Sequence, residues 1–174
     1  MTIESSPPLG ITMGDAAGIG PEIIVRCFAQ GLPAPAVVYG DAGTMRRAAD
    51  LLDQTIEIVE IASPLHARHE PCTIEVVACS LALPASLVAG KVNADAGRGA
   101  YDYLCAAIDD AMAGRLRAIV TAPLNKHSMH LAGIDQPGHT EILAERSGTA
   151  DFAMMLANDE LRVLLVTIHV ALSQ

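Results

Sequence analysis

The 174-residue chain contains no tryptophan, and aromatic residues make up only 3% of it. That leaves little material for an exposed surface on which nucleic-acid bases could stack. Positive charge is also scarce. Eleven Lys and Arg against 20 Asp and Glu give a formal net charge of −9. A phosphate backbone needs a basic surface, so nucleic acid is not the expected partner. A small phosphorylated substrate feels only local charge and remains admissible. No apolar run reaches the length of a membrane span. The first residues, Met-Thr-Ile-Glu-Ser-Ser-Pro-Pro, lack the basic flank and apolar centre of a signal peptide. The expectation is a cytoplasmic protein that meets no membrane. Four cysteines, Cys27, Cys72, Cys79 and Cys105, have no C-x-x-C spacing and read as buried small apolar residues. Internal repeats and low-complexity segments are absent.

What is present is apolar material, 51% of the residues, enough for a proper core. Short apolar runs alternate with helical patterns, which predicts an α/β fold with a mostly parallel sheet and flanking helices. Strands are expected at 9–13, 36–39, 56–59, 73–77 and 118–120. Asp41 is placed to cap a helix through Leu52. Residues 63–71 read as a polar loop with solvated His66 and His69. A long amphipathic helix opens after Gly90, with Tyr101, Leu104, Cys105, Ile108 and Met112 at helical spacing, and Gly114 ends it. Residues 152–156 and 161–166 suit a hairpin around Ala157–Glu160.

The densest signal is Gly14-Asp15-Ala16-Ala17-Gly18-Ile19-Gly20-Pro21-Glu22-Ile23. It joins the first strand to a helix that Pro21 starts and Gly31 ends. Asp15 and Glu22 have the wrong sign for a phosphate cradle, and neither a P-loop nor a dinucleotide fingerprint fits. Three later stretches carry candidate chemistry. Thr121-Ala122-Pro123-Leu124-Asn125-Lys126 follows a buried strand directly, where open α/β sheets collect ligands. Lys126 there is either an anion-binding point charge or a surface lysine capping a loop. In Gly138-His139-Thr140-Glu141, Thr140 is placed to cap a helix 141–147 and His139 to stand at its amino end. Such an end favours anions, and a histidine beside it can donate or exchange a proton. His169 ends the apolar strand 166–172, where a lone histidine is usually a hydrogen-bonded core residue.

The glycine block resembles the signature of the 4-hydroxythreonine-4-phosphate dehydrogenase family of vitamin B6 biosynthesis. It is also similar to a shorter turn of isocitrate and isopropylmalate dehydrogenases. Gly90-Lys91-Val92 through Ala100-Tyr101, the 121–126 stretch, Pro137-Gly138-His139-Thr140-Glu141 and Thr167-Ile168-His169-Val170-Ala171-Leu172 match further family segments in order. The resemblance implies an isocitrate/isopropylmalate dehydrogenase-like fold, incomplete in this chain. Residues 1–120 would then be the amino-terminal part of a first α/β domain, and 121–174 the start of a second, dimer-forming one. It implies an oxidative decarboxylase that uses NAD or NADP and a divalent metal (zinc, magnesium, manganese or cobalt). On the carried-over motifs, His139 and Thr140 contact the phosphorylated substrate. Lys126 is a weaker anion holder, and His169 is the first of the three metal ligands a catalytic site takes. The implied partner is a second copy, with the active site at the homodimer interface.

Two substrates fit: 4-phosphohydroxy-L-threonine, or 4-phospho-D-threonate and D-erythronate in a sister group. Ala16 and the 121–126 stretch lean toward the sister group. Rival readings are a phosphate acyltransferase of the same fold and a non-catalytic binding or dimerisation piece. Family chains are about twice this long, so the sequence reads as an amino-terminal half. By itself it is expected to lack dehydrogenase activity.

Overall fold

A computed structural model describes residues 6–79, 82–167 and Ser173. Five apolar runs become the strands of one sheet: β1 (Leu9–Thr12), β2 (Ala36–Gly40), β3 (Glu57–Ile61), β4 (Thr73–Ala78) and β5 (Ala118–Thr121). Their order is β3-β4-β2-β1-β5, and every neighbouring pair is parallel. The central strand β2 is buried along its whole length, which explains why it reads as unbroken apolar sequence instead of alternating.

Helix α1 (Gly20–Gln30) carries the chain from β1 to β2, and α2 (Ala42–Leu51) carries it from β2 to β3. The long α3 (Ala94–Met112) then returns it across the sheet from β4 to β5. Right-handed crossovers in opposite directions place helices on opposite faces. Accordingly α1 packs on α2, while α3 lies against β1, β2 and β5. The direction of winding changes between β1 and β5. In an open sheet the crevice beyond that pair of carboxyl ends is the preferred ligand site.

Local chemistry sets the helix starts. The Asp41 carboxylate accepts the Thr44 amide at 2.6 Å, as the sequence predicts, and also the Leu83 amide at 3.2 Å. Asn93 caps α3 through the Asp95 and Ala96 amides at 2.8 and 3.1 Å. Helix α3 buries two faces. Tyr103 and Ala107 join the sheet's core. Leu104, Cys105 and Ile108 form a second cluster with Met129, Ile134 and Ile142, contributed by α4 (Lys126–Leu131), the turn after it and α5 (His139–Ser147). The apolar stripe seen in the sequence is the second of these faces, and its expected end member Met112 is exposed.

The hairpin forms as an antiparallel pair, β6 (Met155–Ala157) with β7 (Arg162–Leu164), and all six of its residues are exposed. Two expectations fail. Only Cys105 is buried: Cys27 and Cys72 are exposed and Cys79 is half-buried, although all four are free thiols. Cys27 lies on the solvent side of α1, and Cys72 sits in a turn with φ 55°. His69 is not simply a solvated loop residue either. Its amide and that of Arg68 donate to the buried Glu75 carboxylate at 3.0 and 2.6 Å, and its ring lies 3.6 Å from the same group. Among the described residues, no helix is long and apolar enough to cross a membrane.

Candidate functional site

The connection leaving β5 is built onto the glycine-rich turn leaving β1. The Ala122 amide donates to the Thr12 carbonyl at 3.0 Å, and the Asp15 amide donates to the Pro123 carbonyl at 3.0 Å. Gly14 makes this approach possible. It has φ +70°, and a Cβ there would lie 2.3 Å from the Pro123 oxygen. No side chain fits that gap.

Asp15 is 4% exposed and Ser128 fully buried. One carboxylate oxygen of Asp15 accepts the Ala17 amide at 2.8 Å, and the other accepts the Ser128 hydroxyl at 3.0 Å. The Ser128 oxygen in turn accepts the Asn93 amide at 3.3 Å. Asp15 therefore points inward into a hydrogen-bonded network and does not line a phosphate cradle. The sequence marks Asp15 only as unsuited to phosphate. Ser128 and the Asn93 link carry no signal in the sequence analysis above.

Asn125 caps α4 by accepting the His127 and Ser128 amides at 2.9 and 3.1 Å. Lys126 is thus the first residue of that helix, and it is exposed. Helix α5 begins earlier than the sequence predicts. The Gly138 carbonyl accepts the Ile142 amide at 3.3 Å, so Gly138 is the capping residue and His139 the first helical one. Glycine serves there because its carbonyl starts the helix without a side-chain bond. Thr140 is the second helical residue and not the cap. The stability cost of a lost cap therefore does not attach to it.

His139 is half-buried, with its ring beside the Ala122 backbone. That neighbour favours the protonated ring. Burial outweighs it and lowers the imidazole pKa from its ordinary 6.5. His139 and Lys126 therefore hang from one connection, residues 122–126, at the carboxyl end of β5. His169 lies outside the described residues, as do all of residues 168–172. Among the described residues, no three His, Cys, Asp or Glu side chains stand close enough together to hold a metal ion. A groove of about 550 Å³, lined by Phe28, Ala36, His69, Cys72 and Glu75, opens at the other end of the sheet, beside the first residues of β2 and β4. It is remote from the crevice between β1 and β5.

The lowered pKa gives His139 a testable signature. A histidine whose folded pKa lies below its unfolded value contributes stability that is present above about pH 6.5 and is lost as pH falls through the folded value. Urea denaturation of the protein across this range should therefore show declining stability on acidification. His139→Gln should remove a measurable part of that slope. An unchanged slope in the variant would place the titration elsewhere.

Residues 32–174 match the family model described as pyridoxal phosphate biosynthetic protein PdxA. A D-threonate 4-phosphate dehydrogenase of Salmonella typhimurium is 46% identical over 167 residues, covering 94% of this chain and 51% of the relative. A 4-hydroxythreonine-4-phosphate dehydrogenase of Beijerinckia indica is 45% identical over 172 residues, covering 95% and 49%. A crystal structure of a 4-hydroxythreonine-4-phosphate dehydrogenase from Klebsiella pneumoniae superposes with a TM-score of 0.89 at 43% identity, covering 97% of this chain and 53% of that one. The chain spans about half the length of the curated relatives it matches.

Proposed function

The chain belongs to the PdxA family of pyridoxal phosphate biosynthetic proteins, and on that premise we propose that it forms the substrate-holding part of a dehydrogenase acting on a 4-phosphorylated 3-hydroxy four-carbon acid. The observation that carries this reading is the attachment of Lys126 and His139 to one loop beyond β1 and β5. That crevice is where an open α/β sheet binds small ligands. Lys126 presents an ammonium group, and the amide groups that open α5 at His139 and Thr140 favour an anion.

His139 has a more specific part. We take one ring N–H to be turned to the Ala122 backbone, so that the neutral imidazole offers only a lone pair to the crevice. It becomes a second donor when it takes up a proton, which an arriving phosphate dianion favours. Phosphate binding is then coupled to proton uptake at His139. Thr140 adds a hydroxyl on the same helical turn.

A nicotinamide nucleotide (NAD or NADP) would supply the hydride acceptor, and a divalent cation the positive charge opposite the hydroxyl being oxidised. His169 is the residue of this chain proposed as a ligand to that cation. The described residues by themselves form no such site. The boundary expected at residue 120 belongs to the same reading, since α4 and α5 build an apolar cluster of their own on α3. A cytoplasmic homodimer with the site at its interface completes it. The substrate is either 4-phosphohydroxy-L-threonine or a 4-phosphorylated D-threonate or D-erythronate. The two names occur among relatives of nearly equal identity, 45% and 46%.

The test is reduction of NAD or NADP by the full-length protein with a divalent metal and each substrate in turn. Metal-dependent turnover of one of them is expected. A protein that binds nucleotide and metal but oxidises none of them would overturn the proposal.

A further inference from the structure

Three segments far apart in sequence meet at one buried hydroxyl. The single proton of Ser128 goes to Asp15 at 3.0 Å, and its oxygen accepts the Asn93 amide at 3.3 Å. The other Asp15 oxygen is held by the Ala17 amide at 2.8 Å. The glycine-rich turn, the cap of α3 and the middle of α4 are therefore fastened to one another. Neither Asp15 nor Ser128 reaches solvent to a useful extent, at 4% and 0% exposure. No ion pair neutralises the Asp15 carboxylate among the described residues.

Helix α4 is short, six residues from Lys126 to Leu131, and packs closely on α3. Backbone contact with α3 blocks movement in one direction. A Cβ on Gly97 would lie 2.1 Å from the Ser128 carbonyl carbon and oxygen. Movement away from α3 is opposed by the Ser128 links and by the packing of Met129.

We propose that Asp15, acting through Ser128, is a positioning residue that sets where Lys126 meets the substrate anion. This rests on the reading of Lys126 as an anion holder. Losing the Asp15 carboxylate leaves a fully buried hydroxyl without an acceptor, and such a group costs free energy until the backbone moves to relieve it. The relief available is a shift of α4 away from the turn, and Lys126 shifts with it. Asn at position 15 keeps the shape. With its oxygen turned to Ser128 it still accepts the hydroxyl proton and keeps the link to α4, at the cost of the Ala17 amide, which then faces the NH2 group.

The test uses the full-length protein carrying Asp15→Ala, Asp15→Asn, Ser128→Ala and the Asp15→Ala/Ser128→Ala pair. If the reading of Lys126 is a ground-state one, KM for the phosphorylated substrate rises about tenfold in Asp15→Ala with kcat nearly unchanged. Ser128→Ala should reproduce that rise although it leaves the Ala17 contact in place. The double variant should be no worse than Asp15→Ala, as expected for residues acting as one link. Asp15→Asn should restore most of the wild-type KM. Hydrogen exchange supplies a readout independent of turnover: amides of residues 126–131 should exchange faster in Asp15→Ala and near the wild-type rate in Asp15→Asn. A lower melting temperature with unchanged KM would overturn the positioning role. Unchanged exchange across α4 would overturn the link itself. Should the wild type oxidise none of the substrates, the functional reading fails, and the exchange data alone decide whether Asp15 holds α4.

Discussion

Gly14→Ala is expected to lower the unfolding free energy of the full-length protein by about 3 kcal/mol or more. Two effects combine at this residue. Its φ of +70° is a left-handed conformation that costs an L side chain about 1–2 kcal/mol. The added Cβ would also lie 2.3 Å from the Pro123 oxygen and 2.8 Å from the Ala122 oxygen. Both are backbone atoms and cannot rotate aside, so overpacking adds a further 1–3 kcal/mol or so. Gly148 separates the two effects. It has φ +67° with nothing within 4 Å of a built Cβ, so Gly148→Ala should cost only about 1 kcal/mol. Denaturant midpoints of the two variants test this. If Gly14→Ala is no worse than Gly148→Ala, the close approach of the two loops is not real. Relief of the clash also pushes the 122–126 connection away from β1, so substrate affinity should fall together with stability.

The contrast between Asp41 and Asp15 shows what the sequence makes legible. Asp41 caps α2 through Thr44, three residues on, and that spacing can be read directly. Asp15 bonds Ser128 across 113 positions, and no local pattern encodes such a pairing. The five strands are legible for the same local reason: each is a short apolar run between turn residues. Their order is not, because β4 inserts between β2 and β3 only after long-range packing. Thr140 misleads as a cap because side-chain preference is a weak signal when the preceding glycine's carbonyl already starts the helix. The cysteines mislead because their usual burial is a statistical tendency, and position on α1 or in a tight turn overrides it. The candidate site was legible in part: Lys126 and His139 stand out by type and motif. Their attachment to one loop depends on the fold.

His169→Ala should abolish metal-dependent turnover in the full-length protein while leaving the fold largely intact. The motivation is sequence alone: a histidine in the segment Thr167-Ile168-His169-Val170-Ala171-Leu172, which resembles the family's first ligand segment. A three-ligand site that loses one imidazole keeps too few donors to hold the cation against water. Even changes to groups that merely support a ligand cost about 10–100-fold in affinity, so the loss of a ligand should exceed the upper end of that range. Two measurements check it. Calorimetric titration with zinc or manganese should show the affinity fall. Added metal at about 100 times the wild-type Kd should stabilise the wild type by about 2.7 kcal/mol and the variant hardly at all. Stability in the presence of a chelator should be similar for both, which separates a lost ligand from a damaged core. His139→Ala serves as the opposite control, since a substrate holder should leave metal affinity unchanged and weaken only the phosphorylated substrate. Wild-type metal affinity in His169→Ala would return that residue to a hydrogen-bonded position in the core. The cation would then have to be sought on other residues.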